Sequence, residues 1–154
     1  MSSHWTLRQG GKVIGELTRM GRTYVSAADL GDMGRMILEP CGTGVVHAVD
    51  EHGELARITR NSWLGRLWEI TGARYNYDLV SDPRPRRWHL EVANGRVTDI
   101  AGSLVSYNHV RIHSALTVPI SAILLSWHVI ARPWEAIAEP RGLVPIPRRR
   151  GTGP

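Results

Sequence analysis

TVPISAILLSWHVIA, residues Thr117–Ala131, is the only long apolar run in the 154-residue chain. Pro119 suits the first turn of a helix, where its missing N–H is not needed, and Pro133 is expected to stop or kink the same helix. Apolar side chains cover nearly the whole circumference of this helix, which is predicted over about residues 118–131. Such a helix is either buried or spans a membrane. Because its roughly 20 Å is shorter than the roughly 30 Å of bilayer hydrocarbon, the sequence predicts burial inside the protein.

The positive charge is concentrated near the C-terminal end of the sequence. The formal net charge is +5, of which residues 139–154 carry +3 and residues 1–138 carry +2. The nearly balanced body predicts no specific nucleic-acid partner. The single cysteine, Cys41, excludes an internal disulfide and a cysteine-rich zinc site. The N-terminal residues show no apolar signal segment, so the expected location is the cytoplasm, with peripheral contact with a membrane left open.

Short alternations of apolar and polar residues, separated by turn residues, fill the chain before the helix. They predict eleven or twelve strands, at residues 4–8, 12–18, 22–27, 35–38, 45–49, 54–60, 67–71, 74–80, 87–92, 97–101, 102–107 and 109–113. The clearest hairpin is centred on Asn94-Gly95, a pair that favours a tight two-residue turn. Residues 139–154 are rich in Pro, Gly and Arg and are predicted to form a flexible tail.

These elements predict a mainly β fold in which one domain spans residues 1–138. Many antiparallel strands can hide their edges by closing into a barrel, and a barrel of about twelve strands is too wide for its own side chains to fill. A helix that is apolar on all sides would fill that space. The predicted architecture is therefore a closed antiparallel barrel of about twelve strands that encloses the C-terminal hydrophobic helix.

Several small motifs carry a family resemblance in this order of elements. They are VIGEL at residues 13–17, LARI at 55–58, LWEI at 67–70, the hairpin at 88–100 and the final helix. The pattern resembles the tubby-like superfamily, and most closely its single-domain branch of LURP-one-related proteins and phospholipid scramblases. This resemblance implies a non-enzymatic binding or scaffold module, with an anionic lipid headgroup or a protein as partner.

The sequence departs from that family in three respects. It lacks the Pro-rich N-terminal segment, the cysteine cluster and the acidic calcium segment of scramblases, so calcium-dependent lipid movement is not expected. The residues that form the phosphoinositide pocket of tubby proteins cannot be matched one for one, and none is carried over. No cofactor and no catalytic residue is predicted.

Two groups of residues are candidates for the binding surface. A cluster of arginines beside Trp88 suits the geometry of a phosphate or an anionic headgroup; it comprises Arg84, Arg86 and Arg87. Arg57, Arg60, Arg66 and Arg74 would add to it if their strands are adjacent. The candidates for membrane or partner contact lie near element ends or in the tail; they are Trp63, Trp134, Arg148, Arg149 and Arg150. Trp5, Trp68, Trp88 and Trp127 are predicted to face inward.

Histidine and cysteine chemistry provides the alternatives. His109 and His113 share a strand face with Arg111 between them, an arrangement that disfavours a metal, so no metal site is predicted. His128 is predicted to be a neutral buried imidazole that is hydrogen-bonded to a strand, and Cys41 to be a small buried residue. An enzyme that uses these histidines remains one alternative function. A lipocalin-like carrier of a small apolar ligand is the other, although an apolar helix in the lumen argues against it.

Overall fold

Eleven strands and one long helix form the described part of the protein. The computed structural model describes residues 3–9, 11–19, 24–83, 87–93, 95–102, 110–114 and 118–138, and for residues 3, 110–114 and 132–138 it describes the backbone alone. The elements are β1 (Ser3–Gln9), β2 (Lys12–Arg19), β3 (Ser26–Asp29), β4 (Arg35–Gly42), β5 (Val45–Asp50), β6 (Gly53–Arg60), β7 (Leu67–Gly72), β8 (Asn76–Ser81), β9 (Arg87–Val92), β10 (Gly95–Gly102), β11 (Val110–Ser114) and α1 (Ile120–Ala138). A single 3-10 turn, Gly31–Met33, joins β3 to β4.

The strands form one antiparallel sheet in which spatial order follows chain order from β1 to β11. Within the described ranges, β1 pairs with β2 alone and β11 with β10 alone, so the sheet is not closed. The predicted closed barrel of about twelve strands is therefore wrong. Alternation and turn residues specify pairing between neighbours in sequence, whereas closure needs a ladder between the first and last strands, which no local pattern encodes. Of the strand predicted over residues 102–107, Gly102 ends β10 and residues 103–107 lie outside the described residues.

Each described strand overlaps a predicted one, although β3 overlaps its predicted range of 22–27 only at Ser26 and Ala27. The predicted strand at 35–38 is too short, because β4 continues through Pro40 to Gly42. The ladder to β5 shifts register between Pro40 and Gly42, and such a bulge accommodates a residue that has no N–H to donate. Cys41 lies in this bulge and is exposed, so its predicted burial is wrong.

The core lies between one face of the sheet and α1. Every strand from β2 to β10 contributes at least one residue to it, and the fully buried large apolar side chains are Leu17, Leu38, Ile58, Ile70, Leu79, Leu90 and Ile100 from the sheet and Leu124, Leu125 and Ile130 from the helix. Trp5, Trp68 and Trp88 pack against this cluster and Trp127 belongs to it. The four inward-facing tryptophans are thus confirmed.

The sheet curves around α1, so the predicted burial of this helix is confirmed. Each residue from Leu124 to Ala131 is buried, which leaves no solvent-facing side on that part of the helix. The ring of Trp127 meets Trp5 of the edge strand β1 edge-on, with centroids 5.8 Å apart. At the other end of the helix, Ser121 contacts Tyr75 in the β7–β8 turn.

Ser121, Ser126 and His128 of the buried helix each have at least one side-chain hydrogen-bond partner in the protein. Ser126 Oγ donates to the carbonyl oxygen of Ala122 at 2.7 Å. Nδ1 of His128 lies 2.8 Å from Ser26 Oγ at the start of β3, and Nη2 of Arg19 donates to the His128 carbonyl oxygen at 2.6 Å. His128 is therefore a buried imidazole bonded to a strand, as predicted. Such partners remove most of the cost of burying polar atoms.

The helix is longer than the sequence predicts. It continues through Pro133 to Ala138, so the expected end of the helix near Ala131 is wrong. Proline removes one hydrogen bond, the one that Val129 would accept, and the adjoining turns retain theirs. No helix in the described part of the chain is long and apolar enough to cross a membrane.

Tyr75 is expected to ionise at a higher pH than an ordinary tyrosine. Its burial raises the pKa above the usual value of about 10, and the hydrogen bond with Ser121 opposes this rise only in part. Because the folded-state pKa is raised, the contribution of Tyr75 to stability is present below about pH 10 and is lost as the pH rises further. An alkaline titration followed by phenolate absorbance, with Tyr75→Phe subtracted from wild type, should give a difference curve centred above pH 10. A midpoint at or below the ordinary value would contradict the prediction.

Candidate functional site

The two ends of the sheet differ in character. In a sheet whose strands follow chain order, alternate connections lie at the same end, so the β2–β3, β4–β5, β6–β7 and β8–β9 connections share one end. We call it the Trp63 end, after the residue in the β6–β7 loop. The opposite end carries the 3-10 turn with Met33 and the β7–β8 turn with Arg74 and Tyr75, and we call it the Tyr75 end.

The β6–β7 loop, residues 61–66, is held in a defined shape. The backbone N–H of Asn61 donates to the carbonyl oxygen of Leu67 at 2.8 Å. Ser62 Oγ accepts hydrogen bonds from the N–H groups of Arg66 and Leu67, at 2.8 and 3.0 Å. The indole N–H of Trp68 donates to the carbonyl oxygen of Gly65 at 2.9 Å, and Gly65 itself has a φ of 69°, which favours glycine. The loop is therefore fastened at its base and along its second half.

The tip of this loop presents apolar side chains to solvent. Trp63 is 93% exposed and Leu64 is 72% exposed, the two highest values among the large hydrophobic residues that the structure describes. Trp63, a sequence candidate for membrane or partner contact, is thus accessible for such a contact, while Leu64 was not singled out. The sequence shows that Trp63 and Leu64 are adjacent apolar residues between two strands. It does not show that they are exposed, because a leucine beside a loop glycine is equally compatible with core packing.

Arginines flank the tip on both sides. Arg60 ends β6, Arg66 precedes β7, and both are exposed. A methyl group added to Gly65 would lie 3.8 Å from Cδ of Arg60, so the Arg60 side chain runs alongside the loop. The whole segment from Leu55 to Trp68 contains no Asp or Glu. The segment therefore carries only positive formal charges.

A backbone hydrogen bond joins this loop to the end of β8, where the β8–β9 connection begins. The N–H of Ser81 donates to the carbonyl oxygen of Arg66 at 2.9 Å, and the N–H of Asp82 donates to that of Arg87 at 2.8 Å. The exposed Arg87 therefore shares the Trp63 end with Arg60 and Arg66. Asp82 is the acidic residue of the same connection and is half-buried. Arg84 and Arg86 lie outside the described residues.

Two of the other predicted arginines do not belong to this surface. Arg74 lies in the β7–β8 turn, at the Tyr75 end. Arg57 lies on the outer face of β6 and makes two hydrogen bonds to Glu54, at 3.0 and 2.7 Å. That pairing holds the pKa of the Glu54 carboxyl below its ordinary value, and the contact with His47 acts in the same direction.

The pair extends into a polar network across the outer faces of β4, β5 and β6. Nδ1 of His47 lies 3.0 Å from Glu54 Oε1, and Nε2 of the same ring lies 3.1 Å from Glu39 Oε1. The sequence did not reveal this network because Glu54 and Arg57 would face opposite sides of a regular strand. A bulge between Ala48 and Val49 in the β5–β6 ladder brings them to one face. The two carboxylates contact opposite nitrogens of the imidazole, so the network joins strands and does not form a common metal site.

The described residues do not form a metal site, and several of the other predicted site residues lie outside them. Within the described residues, no group of three His, Cys, Asp or Glu side chains is placed to hold a metal ion. His109 and Arg148–Arg150 lie outside the described residues, as do the side chains of His113 and Trp134.

The helix runs from Ser121 near the Tyr75 end to His128 beside β3 near the Trp63 end. The backbone of Trp134 therefore lies about 9 Å further along this direction.

Comparison with known proteins adds no relative. No family model, no curated protein and no solved structure matches the chain. The resemblance to the tubby-like superfamily stays a prediction. The candidate site therefore depends on the geometry of the Trp63 end alone.

Proposed function

We propose that the protein is a non-enzymatic binding module that attaches to an anionic lipid surface through its Trp63 end. One observation carries the proposal: Arg60 at the end of β6, Arg66 in the β6–β7 loop and Arg87 at the start of β9 are all exposed at the Trp63 end. Backbone hydrogen bonds from Ser81 to Arg66 and from Asp82 to Arg87 link the β6–β7 loop to the β8–β9 region. Guanidinium groups suit phosphate oxygens because they donate two parallel hydrogen bonds.

The strength of such attachment can be bounded. Each basic residue near an anionic membrane contributes about 1 kcal/mol, and this contribution falls away within a Debye length. Three arginines therefore support binding that is reversible and sensitive to salt. The half-buried Asp82 offsets part of this charge.

The two alternatives have less support. A carrier of a small apolar ligand needs an empty interior, whereas α1 fills the concave side of the sheet with fully buried leucines. Of the histidines proposed for an enzyme, His128 is 1% exposed and bonded to Ser26, so it is far from any substrate in solvent. The filled concave side therefore disfavours the carrier, and the buried His128 disfavours an enzyme that uses this residue.

The proposal is tested by flotation of the full chain with phosphatidylcholine vesicles that contain or lack phosphatidylserine, at low and high salt. Binding should require phosphatidylserine and weaken with salt. Replacing both Arg60 and Arg66 with Glu should lower the affinity by at least about tenfold, given the contribution of each charge. Arg74→Glu is the matched control, because this exposed arginine lies at the opposite end; its effect should stay within about twofold.

A further full-length variant separates the folded surface from the tail. Replacing Arg148, Arg149 and Arg150 with Ala should leave most of the phosphatidylserine-dependent binding in place. Binding that disappears with these three arginines would assign attachment to the tail and contradict the proposal. Equal binding to neutral and anionic vesicles would contradict it as well.

A further inference from the structure

The exposed tip of the β6–β7 loop is not explained by headgroup binding. Arginines alone would suffice for phosphate contacts, yet Trp63 and Leu64 extend apolar surface into solvent between them. A structure gains nothing from this exposure in isolation, since both side chains lose favourable free energy by contact with water. Their surroundings indicate what would cover them.

The loop is fixed before any partner arrives. Ser62 accepts two backbone hydrogen bonds and Trp68 donates a third contact to Gly65, so the tip is exposed on a fastened base. A segment whose backbone is already ordered loses less conformational entropy on binding than a flexible one. The loop therefore differs from a frayed surface segment that happens to carry a tryptophan.

The shape and charge of the tip favour a bilayer over a protein. At 93% exposure, Trp63 has almost no neighbours that form a pocket wall, so the occupant must surround the indole ring by itself. The interfacial region of a bilayer does this, and tryptophan is enriched at that depth. Arg60 and Arg66 on either side would then lie at the level of the phosphates, with no carboxylate on the loop to be repelled.

We infer that Trp63 and Leu64 form a preformed wedge that inserts between the headgroups and the acyl chains of an anionic bilayer. This inference rests on the proposed function and specifies how the same surface is used. The arginines select the anionic headgroups, and the two apolar side chains add binding that persists at high salt. Insertion by two residues is shallow, so loosely packed bilayers should be favoured over tightly packed ones.

The first experiment measures insertion directly. Full-length protein is mixed with phosphatidylcholine–phosphatidylserine vesicles that carry bromine on their acyl chains, and the quenching of tryptophan fluorescence is recorded. Quenching, expressed relative to the fraction of protein that floats with the vesicles, is expected in wild type and should be largely lost in Trp63→Phe. Vesicle binding without any quenching that depends on Trp63 overturns the wedge and leaves the proposed function standing.

The second experiment measures affinity. Replacing both Trp63 and Leu64 with Ser should weaken binding to anionic vesicles by at least about tenfold and remove the part that resists salt. Met33→Ser is the matched control, because Met33 is also highly exposed, at 68%, but lies at the Tyr75 end. Circular dichroism and thermal melting check that both variants fold. If wild type binds neither neutral nor anionic vesicles, both the wedge and the proposed function are contradicted. A protein then becomes the favoured partner.

Discussion

Replacing Leu124 with alanine should lower the free energy of unfolding by about 2–5 kcal/mol. Leu124 is fully buried in the core between α1 and the sheet, so its removal leaves a cavity that neighbouring side chains cannot readily fill. Urea denaturation followed by circular dichroism measures the effect as a lower midpoint with an unchanged slope. This is among the largest effects expected of a single substitution in the chain.

The same substitution at Leu64 supplies the control. Leu64 is 72% exposed at the tip of the β6–β7 loop, so Leu64→Ala should change the unfolding free energy by less than about 0.5 kcal/mol. Equal effects at the two positions would mean that Leu124 is not buried between α1 and the sheet.

Gly15→Ala should destabilise the protein by about 1–3 kcal/mol, through overpacking. A Cβ at this position would lie 2.5 Å from the backbone oxygen of Asp29 and 3.0 Å from Cδ2 of Leu30. The oxygen belongs to β3, so relief requires β2 and β3 to separate. The φ angle of Gly15 lies outside the range that disfavours other residues, so the cost is steric.

The sign of this change is diagnostic. Without a clash, replacing glycine with alanine stabilises a protein by about 0.4–1 kcal/mol, because the unfolded chain loses freedom. A rise in the thermal midpoint of Gly15→Ala would therefore contradict the close approach of the two strands. Lys12→Ala, at an exposed position of the same strand, should leave the midpoint nearly unchanged.

The sequence predicted the strands and the buried helix because both follow from local periodicity. Alternation along β9, for example, placed Trp88 and Leu90 on the inner face, where the structure has them. Closure of the sheet was predicted wrongly, since it depends on whether β1 and β11 meet. The same limit applies at Pro133: local chemistry favours a helix end there, but the chain continues as helix to Ala138.

The candidate site was predictable only in part. Trp63 was identified from its residue type and its position near an element end, and Arg87 from the cluster of arginines beside Trp88. The sequence could not show which arginines join them, because Arg60, Arg66 and Arg87 come together only through the pairing of separate strands and the Ser81–Arg66 backbone hydrogen bond. Arg57 is only three residues from Arg60, yet a bulge and Glu54 keep it in a separate network.

The order of the sheet has a consequence for synthesis on the ribosome. Every strand pairs with its neighbours in sequence, so the ladders can form one after another as the chain emerges. The helix that covers their apolar face comes after all eleven described strands. Until Ile120–Ala138 has left the exit tunnel, the nascent sheet presents side chains such as Ile58, Ile70 and Leu79 without their cover. Stalled or prematurely terminated chains of this protein should therefore be ready clients for chaperones and proteases.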